Sequence, residues 1–148
     1  MKMVQPCCVY IFTTDPSQAP SFVKIGVSKT PEARISTLQV GCPIRITQLR
    51  IIETPSTVIA RAAEASIHQA LKALHTVGEW FRVGDDFGAI DRVIAEHFDG
   101  RGWPERRLGF AQASAAARSA IKAREDATYK EAINRMRMDK NMAKIEWD

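Results

Sequence analysis

Two short apolar runs separated by a breaker segment constrain this chain most. Val9-Tyr10-Ile11-Phe12 and Phe22-Val23-Lys24-Ile25-Gly26-Val27 are both β-branched and aromatic, the composition of half-buried strands. Between them stand Asp15-Pro16-Ser17-Gln18-Ala19-Pro20-Ser21, turn and breaker chemistry throughout. Strands this close in the chain pair antiparallel, as a hairpin. A helix is expected to open directly afterwards at Ser28-Lys29-Thr30-Pro31-Glu32. Thr30 suits the cap, Pro31 the first helical position, and Glu32 the positive helix end. A hairpin feeding a short helix brings Tyr10, Lys24 and Arg34 near one another.

Further along, the first helix runs over about 31–39 and stops at Gly41-Cys42-Pro43. Residues 44–53 alternate well enough for a third strand, with Ile44, Ile46, Gln48 and Arg50 on one side. Thr54-Pro55-Ser56-Thr57 is a loop and cap before a helix over 58–74, whose apolar positions are Ile59, Ala63, Ile67, Ala70, Leu71 and Leu74. Trp80-Phe81-Arg82-Val83 reads as a short strand, and Asp85-Asp86 as the cap of a helix carrying Phe87, Ile90, Val93, Ile94 and Phe98. The punctuation Asp99-Gly100-Arg101-Gly102-Trp103-Pro104 marks the expected domain boundary, with 1–99 before it and 100–148 after it. From Phe110 to about Ile145 neither Gly nor Pro occurs, which predicts one long helix or two shorter ones.

Length and composition narrow the class. At 148 residues, with 45% hydrophobic and 26% charged side chains, the chain suits one domain with an appendage. No apolar run approaches the ~20 residues that span a bilayer, so no membrane partner is expected. Met1-Lys2-Met3-Val4-Gln5-Pro6 lacks the apolar core of a signal peptide, which leaves a cytoplasmic protein as the expectation. Cys7, Cys8 and Cys42 form no disulfide framework. Adjacent strand cysteines face opposite ways, so these read as small buried hydrophobes. Net charge is +4. Residues 1–100 hold ten basic and ten acidic side chains, while 101–148 hold eleven and seven, so the whole excess lies in the tail. A basic tail favours anionic partners, nucleic acid foremost.

The hairpin pair Val9-Tyr10-Ile11 and Val23-Lys24-Ile25-Gly26 resembles the signature of the GIY-YIG nucleases, in the branch whose second element reads KIG. Arg34-Ile35-Ser36-Thr37-Leu38-Gln39-Val40-Gly41-Cys42-Pro43 resembles that branch's R-x-x-x-L-Q-x-G-x-P run. Ala63-Glu64-Ala65-Ser66-Ile67-His68 resembles its A-E-x-x-x-H helix, and Gly78-Glu79-Trp80-Phe81 its G-E-W-F ending. The likeness covers roughly residues 8–98 and points to a phage or bacterial setting. Cys8 stands where the first motif has glycine, and Lys24 replaces the second tyrosine.

The resemblance implies an α+β fold, a small three-stranded antiparallel or mixed sheet flanked by helices, here with a helical C-terminal extension. It also implies a metal-dependent endonuclease that hydrolyses phosphodiester bonds in DNA. Phosphodiester hydrolysis needs an activated water, charge stabilisation on the phosphoryl oxygens and help for the leaving oxygen. Tyr10 matches the tyrosine that positions or deprotonates the water, a role as base that requires nearby cations to stabilise phenolate. Lys24 is the expected cation, and Arg34 matches the arginine that stabilises the transition state through its planar fork. Glu64 is the expected ligand of one Mg²⁺ (or Mn²⁺), a hard ion that keeps most of its waters. His68, four residues on and thus on the same helix face, is a candidate for the phosphate or a metal-bound water. Glu79 reads mainly as a structural hydrogen-bonding group. Arg118, Lys122, Arg124, Lys130, Arg135 and Arg137 are the candidate phosphate contacts of the tail. Two other classes stay open: a non-catalytic nucleic-acid-binding module of the same fold, and an interaction protein or homo-oligomer acting through its C-terminal helix.

Overall fold

The structure is a computed structural model that describes residues 5–18, 20–83 and 87–145. The hairpin forms as expected: β1 (Cys7–Thr14) pairs antiparallel with β2 (Ser21–Ser28), with Tyr10 directly opposite Gly26. α1 (Pro31–Val40) follows, then β3 (Ile46–Thr54), α2 (Thr57–Ala70), a 3-10 turn at Lys72–Leu74, β4 (Trp80–Val83), α3 (Phe87–Phe98), β5 (Glu105–Gly109) and α4 (Phe110–Ile145). The α+β class and the C-terminal helix agree with the sequence. The sheet has five strands in the order β4-β2-β1-β3-β5, all neighbours antiparallel, so β4 and β5 widen the expected three. The proposed cap Asp85-Asp86 lies outside the described residues.

The sheet is covered on both faces, which explains why β1 is buried along its whole length. On one face Val9, Ile11, Val23, Ile25, Ile52 and Phe81 pack under Ala60 and Ile67 of α2, Leu71 just after it, and Ile90 and Ile94 of α3. On the other, Tyr10, Phe12, Ile46, Leu49 and Ile51 pack against Ile35 and Leu38 of α1. Cys7 and Cys8 fall on opposite faces, one in each core, and burial pushes the Cys8 thiol up to about 11, aided by Glu53 and Glu32. Such a thiol is an inert packing group.

Local chemistry departs from the sequence reading at three points. Thr30 makes no side-chain cap; Ser28 Oγ instead accepts a hydrogen bond from the Thr30 amide at 3.1 Å. Gly41 ends α1 in a right-handed conformation (φ −87°), so its freedom to take positive φ is not what stops the helix. In β3 the register shifts between Thr13 and Thr14 of its partner strand. That irregularity separates Ile46, which joins Leu49 and Ile51, from Gln48 and Arg50, which pair with Thr13 and Ile11. Ser56 does cap α2 as expected, accepting from the Ile59 amide at 3.2 Å.

β5 shows how the two sides of the expected boundary meet. Glu105–Gly109 pairs along β3, and Arg50 of β3 bonds Glu105 at 2.7 Å and Asp91 of α3 at 2.9 Å. Arg106 forms an ion pair with Glu32 of α1. α4 lies against α1, β3 and β5. From Arg118 to Asp139 every described side chain except Ile133 is exposed.

Candidate active site

The candidate site lies where β4 stops short along β2. The pairing of these strands ends at Lys24 and Trp80, which leaves β2 beyond Lys24 without a strand on that side. The Glu79 carbonyl accepts from the Ile25 amide at 3.1 Å, and the His68 Nε2–H donates to the Ile25 carbonyl at 2.9 Å. Both backbone groups of Ile25 are thus satisfied by residues of other elements, as an edge carbonyl and amide beside a core require.

Four of the sequence-predicted groups and Glu79 gather here. Tyr10 rises from β1 and is almost fully buried, with its ring crossing the face of Gly26. Its hydroxyl donates to Glu79 Oε2 at 3.3 Å. Lys24, on the same face of β2, pairs with that same oxygen at 3.0 Å, and its ammonium lies 5.6 Å from the Trp80 ring centroid. Glu64 and His68 come from α2, one turn apart, with 3.7 Å between Glu64 Oε1 and His68 Nε2. Arg34 is exposed on the first turn of α1, and its positive charge acts on Tyr10.

The electrostatics revise the expected role of Tyr10. Burial and the negative charge of Glu79 hold its hydroxyl well above the ordinary phenol range, and Arg34 only partly offsets them. The phenolate that cations were expected to stabilise is therefore disfavoured. Lys24 neutralises Glu79 rather than Tyr10. Glu64 is raised from the usual carboxylate range, first by burial and then by the charge of Glu79, with His68, Arg61 and Lys24 pulling the other way. A half-buried carboxylate beside a second carboxylate lacks positive charge.

A cation beside Glu64 would act in the same direction as His68, Arg61 and Lys24, which oppose the rise in its pKa. Glu64 offers hard carboxylate oxygen, the ligand type that Mg²⁺ and Mn²⁺ take. Among the described residues no group of three His, Cys, Asp or Glu converges into a metal cluster. An ion at this place would have a single protein carboxylate, with water and phosphate completing its shell.

Glu79 is the group whose role sequence reasoning understated. Its local signal was its place in Gly78-Glu79-Trp80-Phe81. Gly78 sits at φ +57°, a left-handed conformation that glycine takes without strain. This turn, closed by the Trp80 amide on the Val77 carbonyl at 3.0 Å, points Glu79 at the hairpin while Phe81 enters the core. His68 is more committed than expected: its Nε2 proton serves β2, and its ring meets Phe81 edge-on at 4.9 Å.

The six tail cations lie on α4, away from this cluster in the chain, and all are exposed. At 3.6 residues per turn, Arg118, Lys122, Lys130 and Arg137 fall within an arc of about 120°. Arg124 and Arg135 lie on the other side of the helix, where Arg135 meets Glu131 at 3.5 Å.

A small α+β domain with tyrosine, lysine, arginine and paired glutamates at one hairpin edge has the make-up of a nuclease-like or DNA-handling domain. The chain belongs to the T5orf172 domain family, a nuclease-associated family whose model matches residues 7–97, more than half of the sequence. No curated protein and no solved structure matches the chain. No helix among the described residues is long and apolar enough to cross a membrane.

Proposed function

We propose that this chain is a GIY-YIG-type endonuclease that hydrolyses phosphodiester bonds in DNA with one divalent ion, Mg²⁺ or Mn²⁺. The observation that carries the reading is the convergence of Tyr10, Lys24 and Glu64, from β1, β2 and α2, with Glu79 of the turn before β4, into one cluster whose charges act on each other. Clusters that perturb their own titration are a mark of reactive sites.

Tyr10 enters the reaction as a neutral phenol. Its oxygen accepts a hydrogen bond from the attacking water while its proton points at Glu79. As the water oxygen bonds to phosphorus, the water proton passes to Tyr10 and the phenol proton to Glu79. The bond from phosphorus to the leaving oxygen breaks, and that oxygen takes a proton from solvent water; Glu79 then releases its proton to the hydroxide left behind, which resets the site. Relay through a neutral phenol avoids forming a buried phenolate, which the site disfavours. Lys24 pairs with Glu79 at 3.0 Å and adds positive charge near the phosphate. Arg34, exposed over the hairpin, offers paired N–H donors to the phosphoryl oxygens. Glu64 would hold the metal ion, which when bound withdraws charge from the phosphate. His68 holds α2 to the β2 edge and so positions Glu64.

The decisive experiment is nicking of supercoiled plasmid by the full chain with Mg²⁺ or Mn²⁺. Wild type should nick, and Tyr10→Phe and Glu79→Gln should each slow the rate by roughly 10²-fold or more, the usual worth of a positioned proton-transfer group. Nicking by Tyr10→Phe at the wild-type rate would remove the proposed relay. The arc of Arg118, Lys122, Lys130 and Arg137 supplies the tail's phosphate contacts in this reading. Changing all four to alanine should flatten the dependence of log affinity on log salt by about 3 to 4, at ~0.9 for each phosphate no longer neutralised. An unchanged slope in a filter-binding titration would take the tail out of the DNA interface.

A further inference from the structure

A groove of about 230 Å³ opens beside the candidate site, between the β2–β4 face and the loop that joins α1 to β3. Its lining includes Phe22, Pro43, Ile44, Thr76, Val77 and Trp80. Val77 is 70% exposed, and Phe22 and Trp80 are half-buried, so aromatic surface is left open to solvent there.

The strand pattern places charge around this surface. Phe22 and Lys24 share one face of β2; Arg82 and Trp80 stand opposite them on β4. Two aromatic rings and two cations therefore alternate on four cross-strand positions. Lys24 lies between the two places: its ammonium is 5.6 Å from the centroid of the Trp80 ring, which lines the groove, and it pairs with Glu79 beside Tyr10. Aromatic faces interleaved with cations are the means by which proteins hold unpaired nucleotides: the rings stack on bases and the cations track phosphates. The volume equals that of about eight waters, the size of a flat ring system rather than of a peptide helix.

We propose that this groove receives an unpaired nucleobase next to the scissile phosphate, stacked on Trp80 and Phe22, so that the substrate is DNA with an unstacked or single-stranded nucleotide at the cleavage point. The inference rests on the phosphodiesterase reading of the adjacent cluster and names its substrate class. A base flanking the phosphate lies within one nucleotide of it, and Lys24 spans that interval from groove to site. An apolar side chain of a protein partner would fill the groove but leave the exposed Arg82 beside it without an anion on the occupant.

The test uses the full chain carrying Glu64→Gln, which binds without turnover. It is titrated with a duplex bearing a short single-stranded flap that contains 2-aminopurine, and with the same sequence fully paired. Flap DNA should bind roughly tenfold tighter than duplex, with quenching of the 2-aminopurine emission. Trp80→Leu and Phe22→Leu should each weaken flap binding by roughly 5- to 100-fold, the range of one base–aromatic stack, and leave duplex binding unchanged. Trp80→Tyr, which keeps a stacking ring, should restore most of the preference. Equal affinity for flap and duplex, or equal weakening of both by Trp80→Leu, would overturn the proposal and leave Trp80 a structural support. Binding without quenching would overturn it too, leaving the groove to a protein side chain and the phosphodiesterase reading intact. Failure to bind either DNA would overturn both.

Discussion

Glu64→Gln should abolish metal-dependent cleavage, lowering the rate by three or more orders of magnitude, while the protein melts at the same temperature or higher. The first half follows from the metal-holding role: without its carboxylate the phosphate loses several kcal/mol of charge stabilisation, and each ~1.4 kcal/mol is tenfold. The second half follows from the sign of the pKa shift. The Glu64 carboxyl titrates above its ordinary value in the folded chain, because burial and Glu79 oppose its charge. The folded state therefore holds this proton more tightly than the unfolded state. Its stabilising effect is full below the unfolded pKa and is lost as pH rises through the folded one. At neutral pH the wild type carries a disfavoured charge that glutamine lacks.

Divalent ion completes the comparison. At ten times its Kd, Mg²⁺ should stabilise the wild type by about 1.4 kcal/mol. For a chain of this size that raises Tm by roughly 3–6 °C. Glu64→Gln should show no such rise. Lower stability together with abolished activity would instead make Glu64 a structural residue. Activity abolished with stability kept or raised is the signature of a group that the fold tolerates for function.

Gly26→Ala should destabilise the protein by about 1–3 kcal/mol and slow cleavage by roughly 10²-fold. The naive expectation has the opposite sign, since a strand-interior glycine costs ~0.5–1 kcal/mol relative to alanine in chain entropy. Packing decides the outcome. A Cβ on Gly26 would lie 2.5 Å from Tyr10 Cζ and 2.8 Å from Glu79 Oε2, and would collide with the Tyr10 hydroxyl as well. Glu79 is long and partly exposed, so it can move. Tyr10 is 3% exposed, with its ring 4.7 Å from Phe12, and has nowhere to go without disturbing the core. Any shift also breaks the line from Tyr10 to Glu79. A thermal melt and a nicking assay on the same preparation read both effects, and a variant as stable and as active as wild type would rule out the close packing.

The hairpin and helices were legible because their signals are local. Val9-Tyr10-Ile11-Phe12 and Phe22-Val23-Lys24-Ile25 announce strands from composition, and the segment between them can only turn. Ser56 caps α2 within three residues of the amide it serves. β5 was not legible: Glu-Arg-Arg-Leu-Gly has neither alternation nor β-branched residues. It becomes a strand because β3 offers an edge and Arg50 holds Glu105 across it.

The site divides along the same line. The hairpin and the helix after it gave the nearness of Tyr10, Lys24 and Arg34, whereas Glu64 and His68 entered through the likeness to the GIY-YIG nucleases, with only their shared helix face set by the i, i+4 spacing. The electrostatic partnership of these groups was not readable from the sequence. Tyr10 and Glu79 are 69 residues apart in the chain, and only the tertiary fold brings both Tyr10 and Lys24 to one Glu79 oxygen. Burial, and after it the charge of Glu79, raise the Tyr10 hydroxyl above the ordinary phenol range, which disfavours the phenolate expected of it. Sequence periodicity determines which face a side chain takes, since the backbone repeat is fixed by local geometry. Which charges share a buried neighbourhood is decided by packing between distant elements, and with it the protonation state on which the chemistry depends.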